Sequence, residues 1–228
     1  RYVKCCNEAA QSCNTILPLD IRVSGGGRGV SSRARLAVLC EDVRSTQSAM
    51  VISDSFLMCG LPSRVPVDLI TGIVRKMNFS EVVTHCKSRL RFSDAIAYLE
   101  KFEAKVDVMV VVYNLNDAVN DHSICWPNDV WDQLSSLLIL IFRRCKRLCF
   151  VVPHPRLYSR FAYVAEYEKC HTDLCCYLRE KGVHVDEAVF LQEGAQTPDG
   201  EHFAAECEGD LATAVGIWTQ AAKELCLT

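Results

Sequence analysis

What the sequence lacks narrows it first. Its longest apolar stretch, residues 134–142, is interrupted by Ser135 and Ser136. It falls well short of the ~20 residues that span a bilayer. The opening RYVKCCNEAA has no apolar run of the kind a secretory signal needs. Charge of neither sign dominates: 28 acidic and 25 basic side chains leave a formal net charge of −3. Such a balance does not advertise a nucleic-acid or membrane-surface binder. There is no G-x-S-x-G elbow and no paired C-x-x-C framework for zinc. The glycine cluster at residues 24–29 lacks both the G-x-G-x-x-G spacing and a following helix, so it does not read as a phosphate cradle. No internal repeat or long low-complexity segment is visible.

What is present is apolar bulk and cysteine. Half of the 228 residues are hydrophobic, enough for the core of one large α/β domain. The 14 cysteines fall largely inside apolar runs, such as Cys40 in LAVLC and Cys149 in RLCFVV, and read as small buried hydrophobes. That usage favours a reducing, intracellular setting over a disulfide scaffold. Residues 1–46 lean basic, hold the glycine cluster and read as an extension carrying at most one strand, at 35–40. Residues 47–228 read as the folded domain. Asn78-Phe79-Ser80 matches a glycosylation acceptor, but Asn78 with Glu81 three residues on reads better as a capping box opening a helix.

Strand-like runs alternate with helical ones. Strands are expected at residues 49–53 (AMVIS), 65–71 (VPVDLIT), 106–113 (VDVMVVVY), 148–152 (LCFVV) and from 183. The 106–113 run is continuous enough to be buried on both faces. Helices are expected from Ser80 to about Phe102, from Pro127-Asn128 to about Arg144, over about 156–181 ending at Gly182, and over about 203–225. This alternation implies βαβ units and a three-layer α/β/α sandwich with a mostly parallel, flavodoxin-like sheet of about five strands.

Ligands of such sheets sit at the carboxyl ends of the strands. The residues to weigh are therefore Asp54-Ser55, Gly72, the Asn114–Asp117 stretch and Pro153-His154, with Asp199 and His202 in the loop before the last helix. A serine at a strand end suits a nucleophile if a base accepts its proton and a carboxylate orients the base. Asp199-Gly200-Glu201-His202 offers both groups within one turn of chain. Asp54, Asn114 and His154 are candidates to line the pocket. The Cys170-His171 and Cys175-Cys176 pairs lack the spacing of a zinc framework. The Arg143 to Arg147 basic cluster reads as a solvated helix end.

Four blocks in order resemble the SGNH (GDSL-like) hydrolases. Val51-Ile52-Ser53-Asp54-Ser55 resembles the first block, Gly72 the second, Asn114-Leu115-Asn116-Asp117 the third, and Thr197 to Phe203, with its D-x-x-H, the last. The resemblance covers residues 47 to the end. It implies Ser55 as nucleophile, His202 as general base and Asp199 as its orienting carboxylate. It also implies an oxyanion hole formed by the backbone N–H groups of Ser55 and Gly72 and the Asn116 amide. Two positions depart from the family: Ser53 and Asn114 stand where it has glycine.

The implied activity is hydrolysis of carboxylic esters through an acyl-serine, with short acyl or acetyl esters expected because the domain is small and shows no lid. No metal or organic cofactor is implied, and the expected partner is a small-molecule ester. The same resemblance admits a second reading, a catalytically weakened module that binds RNA or a protein, for example within a retrotransposon-type protein. The two altered glycines and the basic clusters favour it. The retention of Ser55, Asp199 and His202 together favours the enzyme.

Overall fold

The computed structural model describes residues 47–58, 66–119, 123–153, 164–188 and 204–225, within a compact unit spanning Arg44–Thr228. Five strands form one sheet: β1 (Gln47–Ser53), β2 (Phe79–Cys86), β3 (Val106–Val112), β4 (Cys145–Pro153) and β5 (His184–Ala188). Their order is β2-β1-β3-β4-β5 and every pairing is parallel. The central strand β3, VDVMVVV, has only Asp107 incompletely buried. A β-branched run covered on both faces is what a central parallel strand requires.

Helices cover the two faces. α1 (Val67–Lys76) packs against α5 (Glu208–Glu224), which lies over β3 and β4. α2 (Phe92–Lys101) packs on α3 (Val130–Arg144), which lies on β4, and α4 (Val164–Glu180) packs on β5. The Ser135 hydroxyl and the Tyr177 phenol, 2.6 Å apart, link α3 to α4. The expected three-layer fold is therefore the one observed. α4 ends where expected, too. Gly182 takes φ +73, and the Val183 N–H reaches back to the Leu178 carbonyl at 3.0 Å, closing a Schellman-type cap.

Two expected elements are corrected. VPVDLIT is not a strand: α1 begins at Val67, after Pro66, which suits a helix start. The fully buried positions of α1 are Ile70 and Val74, four apart, while Val67 and Leu69 stay 43% and 41% exposed. That is helical periodicity, and the β-branched composition masked it. Its mate on α5 is Gly216, where an added Cβ would lie 2.8 Å from both Ile73 and Met77. The second strand comes later, in the first half of the expected 80–102 helix. Asn78 does not cap a helix. It turns the chain at φ 68 and leads into β2, whose Val82-Val83-Thr84 centre is β-branched.

Among the described residues, no helix is long and apolar enough to cross a membrane. Among the described cysteines, Cys145, Cys149, Cys170, Cys175 and Cys207 are buried, in keeping with their reading as core residues, whereas Cys86 is half-buried and Cys125 and Cys176 are exposed.

Candidate active site

The strand register aligns Ser53 with Cys86 of β2 and with Val112 of β3, so the loops after these three strands emerge side by side. In a sheet of this order, the chain leaves β1 and β3 in opposite directions, opening a crevice between them. Asp54 stands at the head of that crevice. It caps a single 3-10 turn, Ser55–Leu57, by accepting the Phe56 N–H on Oδ1 at 2.8 Å. Its Oδ2 accepts the Asn114 N–H at 2.9 Å and the Asn116 side-chain amide at 2.7 Å.

Asp54 is completely buried. Burial pushes its carboxyl up to about 6, and the hydrogen bonds from Phe56, Asn116 and Asn114 pull against that rise without cancelling it. It is thus a hub beneath the site, which corrects its expected place in the pocket wall. Ser55, the first residue of the turn, is half-buried above Phe56 and Leu57, both fully buried.

The loop after β3 is knotted around the same hub. Tyr113 is buried and donates its phenol to Asp117 Oδ2 at 2.5 Å, while the Asp117 N–H returns to the phenol oxygen at 2.8 Å. The same carboxylate oxygen accepts the Phe92 N–H at 2.9 Å, which fixes the start of α2. Leu115 takes a left-handed φ of 54, an uncommon conformation for a residue with a side chain. It places Asn116 so that the amide nitrogen donates to Asp54 and, at 3.1 Å, to the Leu90 carbonyl. Both amide hydrogens are engaged in this arrangement.

The two family departures have structural consequences. Ser53 is buried, and its hydroxyl donates to the Asp54 carbonyl at 3.0 Å, so the extra group is absorbed by local backbone. Asn114 accepts the Tyr167 phenol of α4 on Oδ1 at 2.5 Å, tying the β3 loop to the neighbouring helix.

Gly72 is corrected. It lies exposed in the middle of α1, where an N–H belongs to the helix ladder, and not in a loop after a strand. The loop that does follow β2 begins at Lys87, whose N–H donates to the Ser53 carbonyl at 3.0 Å. That loop has no glycine, and its left-handed position is Arg89 at φ 54. Asp199, His202, His154 and residues 1–46 lie outside the described residues.

Beside the β3 loop is an open hollow of about 320 Å³ whose walls include Arg91, Asp117, Cys125 and Gln133 but not Ser55. The basic cluster lies at the opposite, amino end of the sheet, and most of it is engaged. Arg144 donates to the Glu103 carbonyl, Arg147 to the Lys223 carbonyl, and Lys146 pairs with Asp107.

No protein-family model matches the chain, and no curated protein sequence matches it. Solved structures do. The lipase/acylhydrolase from Enterococcus faecalis is 18% identical, with 78% of this chain and 96% of that one covered, at a TM-score of 0.55. An acetylxylan esterase from Geobacillus stearothermophilus is 16% identical over 78% of this chain and 95% of its own, at 0.59. TesA is 16% identical over 77% and 99%, at 0.58. At such identities the likeness is one of fold: this chain shares the fold of that lipase/acylhydrolase, that acetylxylan esterase and TesA, with its five-stranded parallel sheet.

Proposed function

We propose that the chain hydrolyses carboxylic esters through an acyl-enzyme on Ser55. The observation that carries this reading is the position of Ser55. It heads the turn after β1, at the crevice between β1 and β3, on a backbone locked by the Asp54 hub. The esterases and acylhydrolases among the fold neighbours support the reaction class.

In the proposed reaction, the Ser55 hydroxyl attacks the ester carbonyl while His202 takes its proton, with Asp199 orienting the imidazole. The proton then passes to the leaving alkoxide, and water, activated by the same base, releases the acid. The Ser55 N–H is one proposed donor to the oxyanion. Asn116 joins it by letting go of the Leu90 carbonyl, the longer of its two contacts, while keeping Asp54. The proposed substrates are short acyl or acetyl esters.

A fluorophosphonate probe tests the nucleophile. The wild type should be labelled on Ser55, and Ser55→Ala should lose both the label and the turnover of a short-chain ester. A label that persists in Ser55→Ala, or a folded wild type that never labels, would overturn the assignment.

A further inference from the structure

A second cluster of reactive side chains lies three strands away from β1, between α4 and the edge strand β5. His171 and Cys175 are four residues apart on α4 and therefore share one face of it. Both are buried, at 4% and 2% exposure. The Cys175 sulfur is 3.8 Å from His171 Nε2 and 4.0 Å from Nδ1. Glu187, half-buried near the carboxyl end of β5, brings a carboxylate oxygen to the same point, so that all three ligand atoms lie within 4.8 Å of one another. Arg179, one turn beyond Cys175, donates to Glu187 Oε1.

We propose that His171, Cys175 and Glu187 form a zinc site. An imidazole nitrogen, a thiolate and a carboxylate are the three donor types zinc accepts. Around a tetrahedral ion at ordinary bond lengths, their atoms stand about 3.4–3.6 Å apart. The histidine and cysteine are within a few tenths of an ångström of that spacing. Glu187 closes the remainder by side-chain rotation, and a water fills the fourth position.

Binding converts the Cys175 thiol to a thiolate and releases its proton to solvent. The imidazole binds in its neutral form and the carboxylate in its ionised form. Arg179 donates to the same carboxylate, as the outer partners of metal ligands commonly do. The site pins α4 to β5 immediately before the stretch of chain that contains Asp199 and His202. Its role is to anchor that end of the sheet, and it does not depend on the chemistry proposed for Ser55.

Sequence spacing hid this cluster because the third ligand is twelve residues beyond Cys175 and on a different element.

The test uses the whole chain, stripped with a chelator under reducing conditions and titrated with Co²⁺. A thiolate-to-cobalt charge-transfer band should appear, and Zn²⁺ should remove it by displacement. Zn²⁺ should raise the melting midpoint of the wild type. Cys175→Ser should lose the band and the shift, while Cys176→Ser, altered at the exposed neighbour, should keep both. Glu187→Gln, at a half-buried position, should weaken Co²⁺ binding about tenfold or more while folding normally. No band in the wild type, a band retained in Cys175→Ser, or unchanged affinity in Glu187→Gln would each overturn the site. If Cys175→Ser fails to fold, the Glu187→Gln affinity decides.

Discussion

The two ends of the sheet each hold an aspartate in a hydrogen-bond network, and the two carboxyls shift in opposite directions. At the carboxyl end, Asp54 accepts from Phe56, Asn114 and Asn116, has no exposure, and is pushed up to about 6. At the amino end, Asp107 accepts the Ser48 N–H at 2.9 Å and the Lys146 ammonium at 2.6 Å. Partial burial pushes its carboxyl up as well, but Lys146 and Ser48 outweigh that and hold it below the usual carboxylate range. Three neutral donors do not fully offset the burial of a completely enclosed carboxylate, whereas one cation with solvent access, helped by Ser48, more than offsets a partial burial.

Breaking the buried hub should have the largest effect. Asp54→Ala leaves the Phe56 and Asn114 N–H groups and one Asn116 hydrogen without their acceptor in a dry interior. It should cost about 3 kcal/mol or more in urea-denaturation stability. Asp54→Asn should recover little, because an amide in either orientation turns an N–H₂ toward a backbone N–H or toward Asn116. An Asp54→Asn protein as stable as the wild type would show that the hub is not a three-donor acceptor.

The same hub gives an unusual pH dependence. The folded carboxyl titrates near 6 and the unfolded one near 3.8, so between these values the native state holds a proton that the unfolded chain has released. The stability this contributes is present on the acid side and lost as pH rises through about 6. By linkage it amounts to roughly 3 kcal/mol at most. Other carboxylates titrate in the same range, so the quantity to follow is the stability gap between wild type and Asp54→Asn. It should narrow from pH 4 to pH 7, and a gap that widens would refute the raised titration.

This contrast was only partly open to sequence reading. β3 was legible because VDVMVVV is covered on both faces, so composition and burial agree. α1 was not, because VPVDLIT has a strand's composition, and what makes it helical is the face it turns toward Gly216 of α5, more than 140 residues on. Misplacing that element displaced the second strand and carried Gly72 into a role that its exposed, mid-helix position does not support. Ser55 and Asn116 were legible as residues that follow strands. Asp54 was not legible as their common anchor, because its partners Asn114 and Asn116 are 60 and 62 residues away and meet it only through strand pairing.

Asn116→Ala sharpens the comparison from inside the hub. It removes one of three donors and leaves the Leu90 carbonyl short of its partner, so stability should fall by about 1–2 kcal/mol, less than for Asp54→Ala. If the amide also serves the oxyanion, turnover of a short-chain ester should drop by about 10²–10³ with little change in KM. A merely structural amide would leave the turnover of the folded fraction unchanged.

The smallest effect belongs to the amino end, and its size tests the contrast from the other side. Lys146 is 74% exposed on its side chain, and its partner Asp107 is 20% exposed. Removing an exposed cation strands no buried donor, so Lys146→Ala should cost only about 0.2–1 kcal/mol, and added salt should shrink that cost further. Asp107→Ala should cost more than Lys146→Ala, because the half-buried Ser48 N–H then loses its acceptor. The pH dependence should also invert. A carboxyl held low by Lys146 contributes stability above its unfolded titration range and loses it as pH falls through the folded one. The gap between wild type and Lys146→Ala should therefore close on acidification below about 3.8, whereas the gap for Asp54→Asn opens as pH falls from about 6 toward 3.8. Paired urea titrations of the two variants across pH 4 to 7 and below measure both slopes. Slopes of the same sign would mean that burial and solvent access do not separate the two aspartates.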